Sequence, residues 1–482
     1  MPNAPQRMSR VDTAWLRMDN PVNLMMIVGV WLLQPGISHA ALCERVESKL
    51  LKYERFRQRV VPDPMGASWV ADDAFDLGHH VVHQALVRRP GQSEREALQA
   101  LVGELATTPL PPSRPLWQFH LIDGYEGGSA LVARVHHCIG DGIALISVML
   151  AITDGGIDPP QRKPRAAAAP ADAVEGEPDW LADAVVKPLT AFATKAIGMY
   201  GGGVAKSIEM LSDPQQGVAG GLEMARTAAK VLGDVTAMAL MPDDSRTVLK
   251  GRPSGRKVVA WGEPLPLDRV KAVGRALGCS VNDVLLACVA GAIGHYLRAA
   301  GDDPSGKEIR AMVPVNLRPL ADAWKLGNRF GLAPLTLPIG IDNPIERVYA
   351  VQRRMNQLKN SYQPLLAFAV LAVAGLLVKP VQDGLLGLFS KKATAVMTNV
   401  PGPATALKFC GATLRQVMFW VPASGDIGVG VSILSYGGGV QFGLITDGAL
   451  CADPQAVIDG FEPEFEKLLT LTLMLPWGFA AA

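Results

Sequence analysis

The chain has 482 residues, with 46 Lys and Arg against 45 Asp and Glu, so its formal net charge at pH 7 is only +1. A length of this order corresponds to roughly three domain-sized units, or to two large lobes with a connector. The near-neutral charge excludes a nucleic-acid binder, since such proteins carry clustered basic residues. Hydrophobic residues make up 49% of the chain and charged residues 19%. The protein is therefore apolar for a globular chain, without the composition of a disordered one.

In the first half of the chain, apolar alternation and short apolar runs predict strands. These strands are expected at 24–33, 69–73, 75–86, 117–122 and 130–135. Apolar residues at helical spacing predict helices at 39–59, 93–105 and 143–153, the last apolar nearly all round and therefore buried.

The amino-acid composition changes in the middle of the chain. Residues 158–179 are rich in Pro, Ala and charge without periodicity, which indicates a linker, and 181–241 predicts helices interrupted by glycines. We therefore divide the chain into an N-terminal lobe (1–157), a linker and helical crossover (158–250) and a C-terminal lobe (251–482).

The second lobe mixes helices and strands. Helices are expected around 270–277, at 281–300 and after Asp453, and strands at 309–317, 395–400, 417–421, 427–436 and 440–446. Because neither lobe shows strict strand–helix alternation, the fold class is α+β with two lobes joined by a long crossover.

Two features bear on membranes. The longest uncharged apolar run, 365–378, has 14 residues, whereas a spanning helix needs about 20. With the second short run at 385–389, it predicts an interfacial or re-entrant anchor, or alternatively a helix pair buried in the core. Residues 24–33 could pass for a signal-peptide core, but acidic Asp12 and Asp19 precede them, so a buried strand in an intracellular protein is expected.

The sequence gives little indication of a metal site or of disulfide bonds. The six cysteines are scattered without a CxxC pair, which is typical of free thiols in a reducing compartment. His79 and His83 have the spacing of a helical metal pair, but the β-branched residues between them favour a strand. We expect no metal site.

The segment 135–142, VHHCIGDG, carries the strongest chemical signal. Neighbouring residues on a strand point to opposite faces, so of His136 and His137 one faces a cleft and the other packs inward. An imidazole with an ordinary pKa near 6.5 suits general-base catalysis at neutral pH. Asp141 is expected to start a helix and Gly142 to allow a close approach.

Residues 136–142 resemble the HHxxxDG motif of the CoA-dependent acyltransferase superfamily. Other segments resemble, more narrowly, the bacterial wax ester synthase/diacylglycerol acyltransferase family. They are the opening MSRVDTAWLRMDNP, Pro115-Leu116-Trp117, Asn282-Asp283, the segments MVPVNLRP and LGNRFG, and TNVPGP at 398–403. The resemblance runs from about Met8 to the last helix.

The resemblance implies a two-lobed, chloramphenicol acetyltransferase-like fold with an active-site tunnel between the lobes. It implies direct transfer from acyl-CoA to diacylglycerol or a long-chain fatty alcohol, with His137 as the general base and no cofactor. Asp141 would shape the loop by pairing with an arginine, for which Arg318 is the candidate.

The remaining candidates are weaker. Asn282 and Asp283 follow Ser280 in a capping-box pattern, so a structural role competes with a supporting role beside the tunnel. The other residues proposed for the tunnel or its oxyanion donor are Pro115, Leu116, Trp117, Asn399 and Ser432.

The expected partners are acyl-CoA, the acceptor alcohol or diacylglycerol, and the surface of a membrane or lipid inclusion. We expect the protein in the cytoplasm, on the inner face of the membrane or on lipid inclusions. Two alternatives remain open: an acyltransferase for a specialised, polyketide-derived alcohol, and a non-catalytic lipid-droplet protein on the same fold.

Overall fold

The structure is a computed structural model that describes residues 5–63, 66–157, 241–318, 325–359, 361, 363–374 and 379–475. The predicted linker from residue 158 onward and the helical crossover up to residue 240 lie outside the described residues.

Helices and strands alternate irregularly along the chain. The strands are β1 (Gln6–Arg7), β2 (Met26–Gln34), β3 (Gln58–Asp63), β4 (Gly66–Ala71), β5 (Val81–Ala85), β6 (Trp117–Tyr125), β7 (Gly128–His136), β8 (Lys257–Trp261), β9 (Leu265–Pro266), β10 (Ile309–Asn316), β11 (Phe330–Leu337), β12 (Ala395–Pro401), β13 (Lys408–Phe409), β14 (Ala412–Trp420), β15 (Val429–Tyr436) and β16 (Gly439–Asp447). The α-helices are α1 (Arg10–Met18), α2 (His39–Ser48), α3 (Leu77–His80), α4 (Glu94–Thr107), α5 (Gly142–Ile152), α6 (Leu267–Ala276), α7 (Val281–Ala299), α8 (Pro344–Lys359), α9 (Gln363–Ala374), α10 (Lys379–Ser390) and α11 (Pro454–Leu473).

The first large sheet contains six strands in the order β13-β14-β2-β7-β6-β5. The predicted hairpin β6–β7 is present, and β2 pairs antiparallel with β7 over Met26–Leu33. Strands β13 and β14 come from the second half of the chain and extend this sheet beside β2. The proposed division assigns residues 251–482 to a C-terminal lobe, but β13 and β14 from this range pair within the first sheet.

The second large sheet follows the order β11-β10-β12-β15-β16-β8, with β9 also pairing with β16. Strands β10, β12 and β15 run parallel, and the others are antiparallel. Helix α7 is buried along most of its length against this sheet and against α11. A small sheet of β1, β4 and β3 lies outside both large ones.

Two sequence expectations for the first lobe are wrong. The predicted helix 39–59 ends at Ser48, and short 3₁₀ turns at Leu50–Lys52 and Glu54–Arg57 lead into β3. These turns bury Leu50 and Phe56 on the core side, which a continuous surface helix would not do. The expected strand 75–86 begins instead as helix α3, because the Asp76 side chain accepts a hydrogen bond from Gly78 N at 3.0 Å and starts a helical turn.

The described parts of the apolar segment 365–389 form two short helices, α9 and α10, and α9 is not an open apolar face. Leu366 and Leu371 are buried where α9 packs against β11 and α1. Residues 375–378, and the side chains of 369, 373, 380, 381, 385, 386, 388 and 389, lie outside the description. Among the helices described here, none is alone long and apolar enough to span a membrane. Within the described residues, the two helices α6 and α7, which meet at a bend of 100°, satisfy that criterion when taken together, by length and composition.

Candidate active site

The segment 136–142 forms a tight turn between β7 and α5. At its start, His137 N donates to Met25 O at 2.7 Å, just before β2. On the other side, the turn pairs with the chain before β11, since Gly327 N donates to Ile139 O at 3.0 Å and Asp141 N donates to Gly327 O at 3.3 Å. The turn is thus fixed by backbone from both halves of the chain.

The His137 ring is buried between two aromatic side chains. Trp15 stacks on it with ring centroids 4.1 Å apart and planes 10° from parallel, and Phe330 lies at 5.5 Å. Burial lowers the pKa of His137 to about 4. The imidazole is therefore neutral at pH 7 and able to accept a proton. Its Nδ1 is buried within the protein, and the side chain lines a cavity.

A buried amide and carboxylate support this histidine. Asn328 Nδ2 donates to the carbonyl oxygen of His137 and to Asp12 Oδ1, both at 2.7 Å. Asn328 N donates to the same Asp12 oxygen at 2.9 Å. Burial raises the pKa of Asp12, although the hydrogen bonds from Asn328 oppose the shift. Through these hydrogen bonds, Asp12 of α1 and Asn328, which precedes β11, are connected to the backbone of His137.

Asp141 holds the turn and the start of α5 together. Its Oδ1 accepts from Ala144 N at 2.9 Å, as an N-cap. Its Oδ2 accepts from Arg329 N at 2.8 Å and from the Arg318 guanidinium at 3.1 Å, and both partners of this ion pair are buried. The ion pair between Asp141 and Arg318 is the one that the sequence predicts.

His136 points away from the cavity. Its Nδ1 accepts from Cys138 N at 3.1 Å, and its Nε2 lies 3.8 Å from Asp19 Oδ1. Asp19 also accepts from Met25 N at 2.6 Å. His136 therefore packs beneath the turn, and the two histidines have the different environments expected from their alternation.

A cavity of about 280 Å³ opens in front of His137 and lies between the two large sheets. The first lobe contributes Trp15, His137 and Asp141, and the second lobe contributes residues of β10 and β12 such as Asn316 and Asn399. The expectation of a close approach at Gly142 is wrong, since a side chain built there would meet no atom within 4 Å. Gly142 borders open space.

The weaker candidates separate into two groups. Asn399 lines the cavity and donates to Asn282 Oδ1 at 2.6 Å, so these two are brought together beside the site. Asp283 accepts from Ser280 N at 2.9 Å and completes the capping box of α7.

Four other candidates, Pro115, Leu116, Trp117 and Ser432, do not line this cavity. Trp117 is fully buried, and its indole donates to Phe56 O at 2.9 Å. Leu116 O accepts from His136 N at 2.9 Å, so this segment supports the turn from behind. Ser432 is buried within β15.

Sequence reasoning did not assign roles to Asp12, Trp15, Asn328 and Phe330, all of which contact His137 or its support. Their signal is present in the segments MSRVDTAW and LGNRFG, but nothing in either segment alone indicates that the two meet. In the described residues, no cluster of three His, Cys, Asp or Glu could hold a metal ion.

Comparisons with known proteins identify a family. Residues 8–285 match the wax ester synthase/diacylglycerol acyltransferase catalytic domain, and residues 326–469 match the WS/DGAT C-terminal domain. The chain is 26% identical over 476 residues to the probable diacylglycerol O-acyltransferase tgs1 of Mycobacterium tuberculosis, covering 96% of both chains. It is 27% identical over 448 residues to tgs2 of the same organism, covering 90% of this chain and 92% of that one.

Two solved structures share the fold. The wax ester synthase/diacylglycerol acyltransferase from Marinobacter aquaeolei VT8 matches with a TM-score of 0.66 at 22% identity, over 97% of this chain and all of that chain. The first condensation domain of the CDA synthetase matches with a TM-score of 0.55 at 16% identity, over 98% of this chain and 97% of that one. The fold is that of the CoA-dependent acyltransferases.

Proposed function

Because the chain belongs to the wax ester synthase/diacylglycerol acyltransferase family, we propose that it transfers a long-chain acyl group from acyl-CoA to diacylglycerol, to a long-chain alcohol, or to both, with His137 as the general base. The observation that carries the proposal is a neutral, buried imidazole at the wall of a cavity shared by both lobes. No covalent acyl-enzyme is needed, since the base acts on the acceptor directly.

In this mechanism, His137 Nε2 takes the proton of the acceptor hydroxyl as its oxygen attacks the thioester carbonyl carbon. A tetrahedral oxyanion forms, the carbon–sulfur bond breaks, and the CoA thiolate takes the proton back from the imidazolium. General-base assistance contributes about 10²- to 10⁴-fold, so the remaining acceleration comes from positioning and from stabilisation of the oxyanion. Asn399 is the candidate oxyanion donor, because it lines the cavity and its Nδ2, which donates one hydrogen to Asn282 Oδ1, carries a second one.

The test measures CoA release from palmitoyl-CoA with a panel of diacylglycerol, hexadecanol and short alcohols. His137→Gln should lower turnover by about 10²-fold or more, with the melting temperature close to wild type. His136→Ala should lose less turnover, through packing. Equal turnover in wild type and a folded His137→Gln protein would refute the mechanism, and a folded wild type inactive on every acceptor would favour a non-catalytic lipid-binding role.

We further propose peripheral contact with a membrane or lipid inclusion at the cytoplasmic face. The substrates are lipids, and the helices α9 and α10 place apolar sequence next to the cavity, with Leu371 of α9 in its wall. Flotation with liposomes containing diacylglycerol tests this contact, with bovine albumin as a non-binding control. Protein that stays at the bottom of the gradient, while remaining folded and active on short soluble alcohols, would refute it.

A further inference from the structure

The proposed reaction places a positive charge on a buried ring. His137 becomes an imidazolium when it takes the proton of the acceptor hydroxyl, and it stays charged until the CoA thiolate receives that proton. The side chain is buried, and burial disfavours the charged form of an imidazole. Acyl transfer therefore needs a feature of the site that stabilises the imidazolium while it exists.

The carboxylates near the turn are engaged elsewhere. Asp141 pairs with Arg318, and Asp12 accepts hydrogen bonds from the backbone and the side chain of Asn328. Within the parts of the chain that the structure describes, no acidic side chain forms an ion pair with the ring of His137. A different kind of contact must therefore stabilise the charge.

The indole of Trp15 covers one face of the His137 ring. The two ring centroids are 4.1 Å apart and the planes differ by 10°, whereas neutral aromatic pairs usually have centroids about 4.5–7 Å apart. Phe330 is farther away, at 5.5 Å, and its ring is tilted by 37°. The negative face of an aromatic ring attracts a cation within about 6 Å of its centroid, and indole does so more strongly than the rings of Tyr or Phe.

We propose that Trp15 stabilises the imidazolium form of His137 during acyl transfer through a cation–π contact, an assignment that rests on the proposed function. The attraction is stronger for the imidazolium than for the neutral imidazole, so it lowers the free energy of the charged state more than that of the resting state. Because it acts through His137, Trp15 is a positioning residue.

Helix α1 holds the indole in place before any substrate binds. Ser9 caps the start of the helix, and Gln382 of α10 donates to Ala14 O at 3.0 Å. Trp15 itself is buried, although it borders the main cavity. The contact with His137 is thus formed in advance, so that the protein does not have to reorganise when the charge appears.

The experiment changes the electron density of the indole without changing its shape. Tryptophans with one, two or three fluorine atoms on the six-membered ring are incorporated at position 15 alone, at a suppressed stop codon. Fluorine is close to hydrogen in size, but each fluorine withdraws electron density from the face of the ring and so weakens its attraction for a cation.

The measurement is the single-turnover rate of ester formation, with enzyme in excess over palmitoyl-CoA and with the acceptor that wild type uses best. Under these conditions product release does not limit the rate. The logarithm of the rate should fall in even steps with each added fluorine, to about tenfold below wild type for the trifluoro variant.

Trp69 of β4 provides the matched control. The guanidinium of Arg55 lies 4.1 Å from its ring centroid, and Trp69 does not line the main cavity. The same fluorinated residues at position 69 should leave the single-turnover rate close to wild type.

Two ordinary substitutions give a second measurement. Trp15→Phe keeps an aromatic ring with a weaker face and should slow the single-turnover rate by about threefold or more. Trp15→Leu removes the ring and should slow it by about 30-fold. A thermal melt of each variant separates a slower reaction from unfolding.

The outcomes are distinguishable. A rate independent of fluorine number at position 15, in folded and active protein, would overturn the role of Trp15 and leave the proposed function standing. An equal fall from fluorine at position 69 would also overturn it, because the effect would not depend on contact with His137. If Trp15→Leu does not fold, the fluorinated series decides alone. Wild type inactive with every acceptor would refute the proposed function itself.

Discussion

His137 combines two properties that usually oppose each other, a buried ring and a proton-accepting role. Stacking between Trp15 and Phe330 fixes the ring orientation and removes water from it. The same burial penalises the imidazolium and so lowers the pKa to about 4. Burial between these rings makes His137 a weaker base. It also keeps the imidazole neutral and fixed in orientation throughout the neutral pH range.

The pH dependence of the reaction follows from this shift. Since the pKa is lowered, His137 stays unprotonated until the pH falls towards about 4, and kcat/KM should be flat from neutral pH down to about pH 5. The acid limb should then have an apparent pKa near 4, as measured by initial rates with palmitoyl-CoA. A limb near the ordinary value of about 6.5 would contradict the buried, neutral base. Circular dichroism at each pH separates loss of activity from unfolding.

The stability of the folded protein should also decrease at acidic pH. A histidine with a lowered pKa in the folded state binds its proton more readily when unfolded. The free energy of unfolding should therefore decrease as the pH falls below about 6.5.

Asn328 is predicted to position the base. Asn328→Ala would remove the side-chain amide that donates to Asp12 Oδ1 and to the His137 carbonyl, while the backbone N of residue 328 still donates to Asp12. The loss should cost about 1–3 kcal/mol in the free energy of unfolding. The turnover of Asn328→Ala should be no higher than the turnover of His136→Ala. Asp12→Asn is the matched comparison, because it keeps a side-chain oxygen and removes a buried charge, and it should lose less stability. Urea unfolding and CoA release measure both effects. Equal stability of Asn328→Ala and wild type would show that the Asn328 side chain does not hold Asp12 and the His137 backbone together.

The sequence predicts the arrangement of the residues in the 136–142 turn better than it predicts the residues that contact the turn from other parts of the chain. The His137 cavity position, the inward His136 and the pairing of Asp141 with Arg318 are all present. Asp12 and Asn328 are separated by 316 positions. Their contact depends on how α1 and β11 meet in three dimensions, which no local pattern encodes.

Among the elements, α5 depends most on one residue. Asp141 caps its first turn and also neutralises Arg318, which extends from the end of β10. Capping contributes about 0.5–2 kcal/mol, whereas an uncompensated buried charge costs about 3–5 kcal/mol. The ion pair therefore dominates the effect of changing this residue, and it links the start of α5 to the second lobe.

A double-mutant cycle tests this link. Asp141→Asn retains an oxygen for the cap but removes the charge, and Arg318→Met removes the partner while keeping much of its volume. Each single change should lower the free energy of unfolding by about 3–5 kcal/mol, and the double change should cost clearly less than their sum. Additive losses, measured by urea unfolding, would show that Asp141 does not act through Arg318.

Elements with a local signal are predicted well. Ser93 and Ser280 both form the capping boxes that start α4 and α7, and Asp453 caps α11. Elements whose boundaries depend on tertiary packing are not predicted well. The helix expected over 39–59 breaks because Leu50 and Phe56 turn into the core. Strand β8 was missed because its pairing partner, β16, is remote in sequence, whereas β11 was missed although it pairs with β10, the strand before it.

At the scale of the whole molecule, the two halves of the chain share a core. Val28, Val30 and Val102 of the first half pack with Trp261 and Trp420 of the second. Helix α4 also approaches β8 closely, since a side chain at Gly103 would lie 2.7 Å from Lys257 O. The main cavity is also lined by residues of both halves, such as His137 and Asn399, so neither half contains a complete active site.

This interlocking predicts how the separated halves behave. Residues 1–157 expressed alone lack β14, which leaves the β2 edge unpaired and the shared core exposed, so this fragment should show no cooperative melt. Co-expressed with residues 241–482, it should co-purify on a tag carried by one partner and regain measurable CoA release. Replacing Trp420 by Asp in the second fragment is the matched control, because it places a charge in the shared core and should abolish co-purification. A cooperative melt of the first fragment alone would mean that its sheet is complete without the borrowed strand.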